Sequence, residues 1–349
     1  MSIELIAGFD TITQDSSLDW NPGSAYSPGT GRLGGYSAQG VYPANYTVLQ
    51  KTLPSLPTRY CGFAFNVNVY ETLPIVEFFD NATSQVQLTT SGIGQFQIYS
   101  GSTLVATTSP YFYRTDAWYY LEFGITIGSL GYYILRVGEQ VILSGTAGTQ
   151  QSTNSSTNVI QFTIQNSLFG RAQVIDDLYV LNALGSKNNT FLGEQKIITS
   201  DLNSDYSIQF SRNSGISNYG QLLTEDGDTT YTSSNVVGNK DLFGIVPLTI
   251  TNNNHGQWYW GNDIVCTKAV IVARKDDVGY RNIGITVDSG STESIFPFSV
   301  SSAGFSVYFI PLLTTYESSS VIMENDPNTN AVWTEAGVNA IKLGYQLLG

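Results

Sequence analysis

Positive charge is the scarcest feature of this chain, with only 15 Lys and Arg against 28 Asp and Glu over 349 residues. The formal net charge of -13, with no basic run anywhere, excludes nucleic acid and anionic membrane surfaces as expected partners, because clustered cations hold both. Cysteine is almost absent too. Cys61 and Cys266 fall in different halves, too few for a disulfide framework or a thiolate metal cluster. They read as two buried free thiols, with a cross-domain bridge as the alternative. No run of about eighteen apolar residues occurs, and Met1 to Ile6 has neither a basic region nor a long apolar stretch, so neither a membrane span nor a signal peptide is expected. The first half shows no sustained helical spacing of apolar residues, and no repeat of fixed period suggests a propeller or solenoid. Four Asn-x-Ser/Thr triplets, at Asn45, Asn81, Asn154 and Asn188, are chance matches in an Asn- and Thr-rich chain.

Present instead are 22 Tyr, 17 Phe and 34 Gly, with 42% hydrophobic residues, enough apolar surface to offset chain entropy and fold. From Tyr60 onward, short apolar-rich runs alternate with turn residues, as β-strands joined by tight turns require. Strands are predicted at residues 62–70, 75–80, 85–88 and 94–99. A long strand at 118–127 precedes a hairpin, 131–137 with 140–143 around Gly138-Glu139, and further strands follow at 159–164 and 172–181. The second half reads as strands at 265–274, 283–287, 295–300 and 305–310, then a short helix within 333–341 and a last strand from Lys342 to Leu348. Length favours two cores. A polar, Gly- and Asn-rich stretch places the boundary near residues 185–205. The expected architecture is all-β: a jelly-roll sandwich over residues 1–195, followed by a second, smaller β-sandwich over 196–349 that serves assembly or interaction.

An ordered series of local patterns adds to this reading. It comprises Ala7-Gly8-Phe9-Asp10-Thr11 with Trp20, Gly31-Arg32-Leu33-Gly34-Gly35-Tyr36, Gly62-Phe63-Ala64-Phe65, Trp118-Tyr119-Tyr120-Leu121-Glu122 and Ile175-Asp176-Asp177-Leu178-Tyr179-Val180. It continues through Phe191-Leu192-Gly193-Glu194, Asp228-Thr229-Thr230-Tyr231-Thr232, Ala273-Arg274-Lys275-Asp276-Asp277 and Trp333-Thr334-Glu335. Together these resemble the concanavalin A-like, or laminin G-like, modules carried by bacteriophage virion proteins. The resemblance implies a concanavalin A-like sandwich and assembly into a particle, without fixing whether in the tail, baseplate, fibre base or head decoration. This architecture hosts lectins, glycosidases and structural spacers alike.

Catalytic chemistry finds few candidates. The sole histidine, His255, lies in a polar turn before Trp258-Tyr259-Trp260, with no Gly-x-Ser-x-Gly elbow in the sequence. Glu77, Asp80, Glu122, Asp176 and Asp177 are the acids a glycosidase could draw on, with Glu77, Asp80 and Glu122 the set it would use. Glu77 and Asp80, three apart on a strand, are expected to point to opposite faces. Asp176 and Asp177 read as turn-fixing carboxylates, with an oxygen-rich calcium site as the functional alternative. Glu225-Asp226-Gly227-Asp228 lacks the flanks of an EF-hand. No cofactor is implied, calcium being the one ion left open.

The aromatic runs Tyr111-Phe112-Tyr113 and Trp258-Tyr259-Trp260 are expected to expose at least one ring each, for a subunit interface or for sugar stacking. Tyr111, Tyr113, Trp258 and Trp260 are therefore the candidate ligand-binding residues. The leading expectation is a non-enzymatic phage virion structural protein, tail or baseplate and fibre associated, made in the host cytoplasm and carried on the extracellular particle. Its partners are other virion proteins and further copies of itself, with a host surface glycan as an added partner. The alternatives are a host-glycan-binding adhesin or a capsid decoration protein, and after those a polysaccharide-degrading enzyme.

Overall fold

A computed structural model describes residues 2–9, 20, 27–33, 35–41, 46–165, 173–223, 229–248, 264–275, 281–300 and 317–349. The chain is all-β and divides into two compact units, Met1–Thr199 and Ser200–Gly349.

The first unit is a sandwich of two antiparallel sheets. The larger runs, in spatial order, β12 (Gln140–Ala147), β11 (Gly131–Val137), β10 (Tyr119–Thr126), β5 (Thr58–Val67), β14 (Gln173–Asn182), β3 (Tyr36–Gln39) and β2 (Ser27–Thr30), with β1 (Ile3–Ala7) also paired to β14. The smaller runs β4 (Tyr46–Leu56), β13 (Thr157–Gln165), β6 (Pro74–Asp80), β7 (Thr83–Thr90), β8 (Phe96–Ser100) and β9 (Thr103–Thr107). Alternate residues of each strand face the core. Cys61, Phe63 and Phe65 of β5 and Leu121, Phe123 and Ile125 of β10 meet Val76 and Phe78 of β6 and Ile160, Phe162 and Ile164 of β13. Edge-on ring contacts link the sheets, Phe63 to Phe162 at 5.4 Å and Phe65 to Phe96 at 6.1 Å. Each buried Phe contributes about 1.5–3 kcal/mol. The β11–β12 hairpin turns on Gly138 and Glu139, both at positive φ (53° and 67°), as a two-residue turn matching strand twist requires.

In the second unit a five-stranded sheet runs β15 (Leu202–Ser207), β18 (Lys240–Ile245), β23 (Lys342–Leu347), β20 (Arg281–Ser289) and β21 (Thr292–Val300). Two ribbons accompany it, β16 (Ser211–Arg212) with β17 (Thr232–Ser233), and β19 (Thr267–Ala273) with β22 (Glu317–Met323). Ala269 and Met323 of the second ribbon share a core with Ile245, Ile285 and Val287 of the sheet, which makes this unit a small layered β-structure. Helix α1 (Glu335–Ala340) is the short helix predicted near the end. The Thr334 side chain caps it by accepting from the Gly337 amide, and Trp333 beneath it donates its Nε1–H to the Met323 carbonyl at 2.9 Å. Asp241 is the polar centre of this unit. Its carboxylate accepts from the Gln209 and Phe210 amides, the Asn218 side chain and the Tyr345 hydroxyl.

Several strands match their predicted bounds within a few residues, among them β6, β10, β11, β13, β14, β19, β20 and β23. Residues 305–310, predicted as a strand, lie outside the described residues.

Candidate functional site

The outer face of the six-stranded sheet carries a row of matched side chains. Since Leu49, Ile160, Phe162, Val76, Phe78, Val86, Leu88 and Ile98 face the core, strand alternation turns Gln50, Gln161, Glu77, Gln87 and Tyr99 outward. The register places them directly opposite one another: Gln50 with Gln161, Gln161 with Glu77, Glu77 with Gln87, Gln87 with Tyr99, and Tyr99 with Leu104. With strands about 4.8 Å apart, the row spans about 24 Å.

Gln161 donates its Nε2–H to the Gln50 Oε1 at 2.8 Å, Gln87 donates to the Gly101 carbonyl at 3.4 Å, and the Tyr99 hydroxyl donates to the Gln97 side chain at 3.2 Å. Gln97 belongs to a neighbouring uncharged row, Thr89, Gln97 and Thr107. Neither row contains a cation. Lys51 on β4 pairs with Ile160 and so belongs to the core-facing side. Glu77 is half-buried, and burial pushes its carboxyl above the usual carboxylate range.

The other nominated acids lie elsewhere. Asp80 is buried, accepting from the Ser152 hydroxyl at 2.6 Å and the Asn154 amide at 2.9 Å, and thereby ties down the loop before β13. Glu122 lies on the outer face of the opposite sheet, where its Oε1 accepts from the Tyr179 hydroxyl at 2.5 Å and the Gly193 amide at 2.8 Å and its Oε2 pairs with Arg136 at 2.9 Å. Burial still raises its pKa against those three stabilising contacts. The sandwich thus separates Glu77 from Glu122 and cannot bring them to one sugar.

Asp176 and Asp177 sit at a bulge in β14, with Asp177 in the left-handed region at φ 48°. The Asp176 carboxylate accepts from the Arg32 amide at 2.9 Å. Asp177 pairs with the Arg32 guanidinium at 2.8 Å and accepts from the Ile197 amide at 2.8 Å. The guanidinium also reaches Glu194 and the Gln195 carbonyl, and lies over the Tyr120 ring at 5.0 Å. This hub fastens residues 192–197 onto the outer face of the larger sheet, and β14 is buried along its whole length. Sequence reasoning read Asp176-Asp177 as fixing a turn, whereas the pair sits at a bulge inside β14, and it missed Arg32, whose partners stand 144 to 163 positions away.

The aromatic candidates divide. Tyr111 is 69% exposed, whereas Tyr113 is fully buried against Phe96 at 4.9 Å and Phe65 at 6.3 Å, which corrects its assignment as an exposed ligand-binding ring. In an extended strand the two rings would share one side. Tyr111 instead takes a left-handed φ of 56° in a turn, which sends its ring out while Tyr113 turns in. Burial pushes the Tyr113 hydroxyl up to about 12. Trp258, Trp260 and His255 lie outside the described residues, as does Glu225-Asp226-Gly227-Asp228. Cys61 and Cys266 are both free thiols, the first buried and the second half-buried.

No protein-family model matches this chain, and no curated protein matches it. Among solved structures it is similar to the cellulose-induced protein Cip1 (13% identity, 51% of this chain and 96% of that one, TM-score 0.36). It is also similar to an endo-β-1,4-glucuronan lyase from the fungus Trichoderma reesei (12%, 52% and 91%, TM-score 0.30) and to the carbohydrate recognition domain of Emp46p (10%, 42% and 81%, TM-score 0.29). Likenesses this low carry no information about what this chain does.

Proposed function

We propose that this chain is a non-enzymatic structural protein of a bacteriophage virion, associated with the tail, the baseplate or a fibre, and assembled through contacts with its own copies and with other virion proteins. The observation that supports a non-catalytic role is the dispersal of the nominated acids. Glycoside hydrolysis needs two carboxyl groups flanking one bond, about 5–10 Å apart. Here Glu122 is committed to Arg136 and Tyr179, Asp80 to a loop, and Glu77 stands on the opposite face of the sandwich from Glu122. The particle setting is supported by the resemblance to concanavalin A-like modules of phage virion proteins. A rigid exit from the first unit suits such a role, since the Arg32 hub holds residues 192–197 against the sheet.

The test is cryo-electron microscopy of purified particles. Repeated, symmetric density matching the two units on the tail, baseplate or fibre is the expected result, and their absence from the particle would overturn the proposal.

A further inference from the structure

The geometry points to a second role for the first unit: the outer face of its six-stranded sheet binds an uncharged, hydroxyl-rich saccharide chain laid across the strands. Strand propensity does not account for the row, because Gln and Glu are not among the β-branched and aromatic types that strands favour, yet four of them face one another in register across β4, β13, β6 and β7.

Each carboxamide offers donors and acceptors side by side, the arrangement that meets neighbouring hydroxyls, which themselves both donate and accept. Gln161 and Gln50 already hold one another at 2.8 Å, which fixes the orientation of two of these groups before a ligand arrives. Tyr99 and the exposed Leu104 close the row with apolar surface, fit for the C–H face of a sugar ring.

Charge decides the ligand class. The row and its neighbour Thr89-Gln97-Thr107 hold one carboxyl, Glu77, and no Lys or Arg, in a chain of net charge -13. A uronic or sialic acid polymer would bring anions to a face with no cation to receive them. A neutral glycan meets no such cost.

The experiment is affinity electrophoresis of the full chain through gels containing dextran, mannan or a soluble β-glucan, with polygalacturonate and polysialic acid as acidic counterparts. Retardation by at least one neutral polymer and by neither acidic one is expected. Gln87→Ala and Gln161→Ala, both half-buried positions on the face, should each weaken it on the order of tenfold with the melting temperature unchanged. Gln87→Asn, which keeps the amide but shortens its reach, serves as a milder second variant. No retardation of folded protein by any neutral polymer, retardation untouched by all three substitutions, or retardation by the acidic polymers would each overturn the inference. None of these outcomes depends on where the protein sits in a particle, so the virion proposal stands or falls separately.

Discussion

Arg32 shows how one side chain can decide local order. It is nearly buried, and while burial alone would lower its pKa, Asp177 and Glu194 more than reverse that, so its charge is secure. Replacing it with Met leaves Asp177 buried without its cation, a change that costs about 3–5 kcal/mol. Urea unfolding of Arg32→Met should show that loss in the first unit's transition, and Arg32→Lys should recover little, because an ammonium lacks the fork that spans Asp177, Glu194 and the Gln195 carbonyl. Glu77 gives the opposite sign. Its folded-state pKa is raised above the unfolded value, so wild-type stability falls as pH rises through that raised value. Glu77→Gln has no proton to lose there. It should melt higher than wild type at pH 7 and equal to it once pH drops below the ordinary carboxylate range, as a pH series of melting temperatures will reveal.

Strands differ in how clearly they announce themselves. Those of the first core, such as β5 and β10, carry aromatic and branched residues at alternate positions and could be read directly. Strand β4 could not. Its YTVLQKTLPSL includes Lys51 and Pro54, tolerable because it is an edge strand, and its place is set by pairing with β13 over a hundred residues away. Likewise β15 (LNSDYS) and β22 (ESSSVIM) are polar edge or ribbon strands, formed because partners supply their hydrogen bonds. The candidate face was hidden for the same reason. Glu77 was visible as an acid, but Gln50, Gln87 and Gln161 form a row only once strand register is known, and no local pattern encodes it. Close approach adds another constraint at this scale. A Cβ on Gly131, which opens β11, would come within 2.2 Å of the Thr126 carbonyl oxygen across the hairpin, so Gly131→Ala should destabilise the first unit by about 1–3 kcal/mol, measurable in the same urea titration.

Taken whole, the molecule has separate hydrophobic cores in its two units, and calorimetry should resolve two transitions. A chain ending at Ala340 lacks β23, the middle strand of the five-stranded sheet. It should lose the second unit's transition and keep the first, with protease leaving a fragment near residues 1–199; loss of both would show that the units do not fold apart. The position of β23 also has a consequence for biosynthesis. The first sandwich is complete once β14 has emerged from the ribosome and met β1, whereas the second sheet has no centre until residue 347 is translated. At about 5–20 residues per second, β23 follows β18 by roughly 5–20 s and β20 by roughly 3–12 s, and until then the edge of each that β23 will join stays open beside a finished sandwich. During that interval neighbouring nascent chains on one message carry the same waiting strand edges, which makes translation the stage at which misassembly between copies is most exposed.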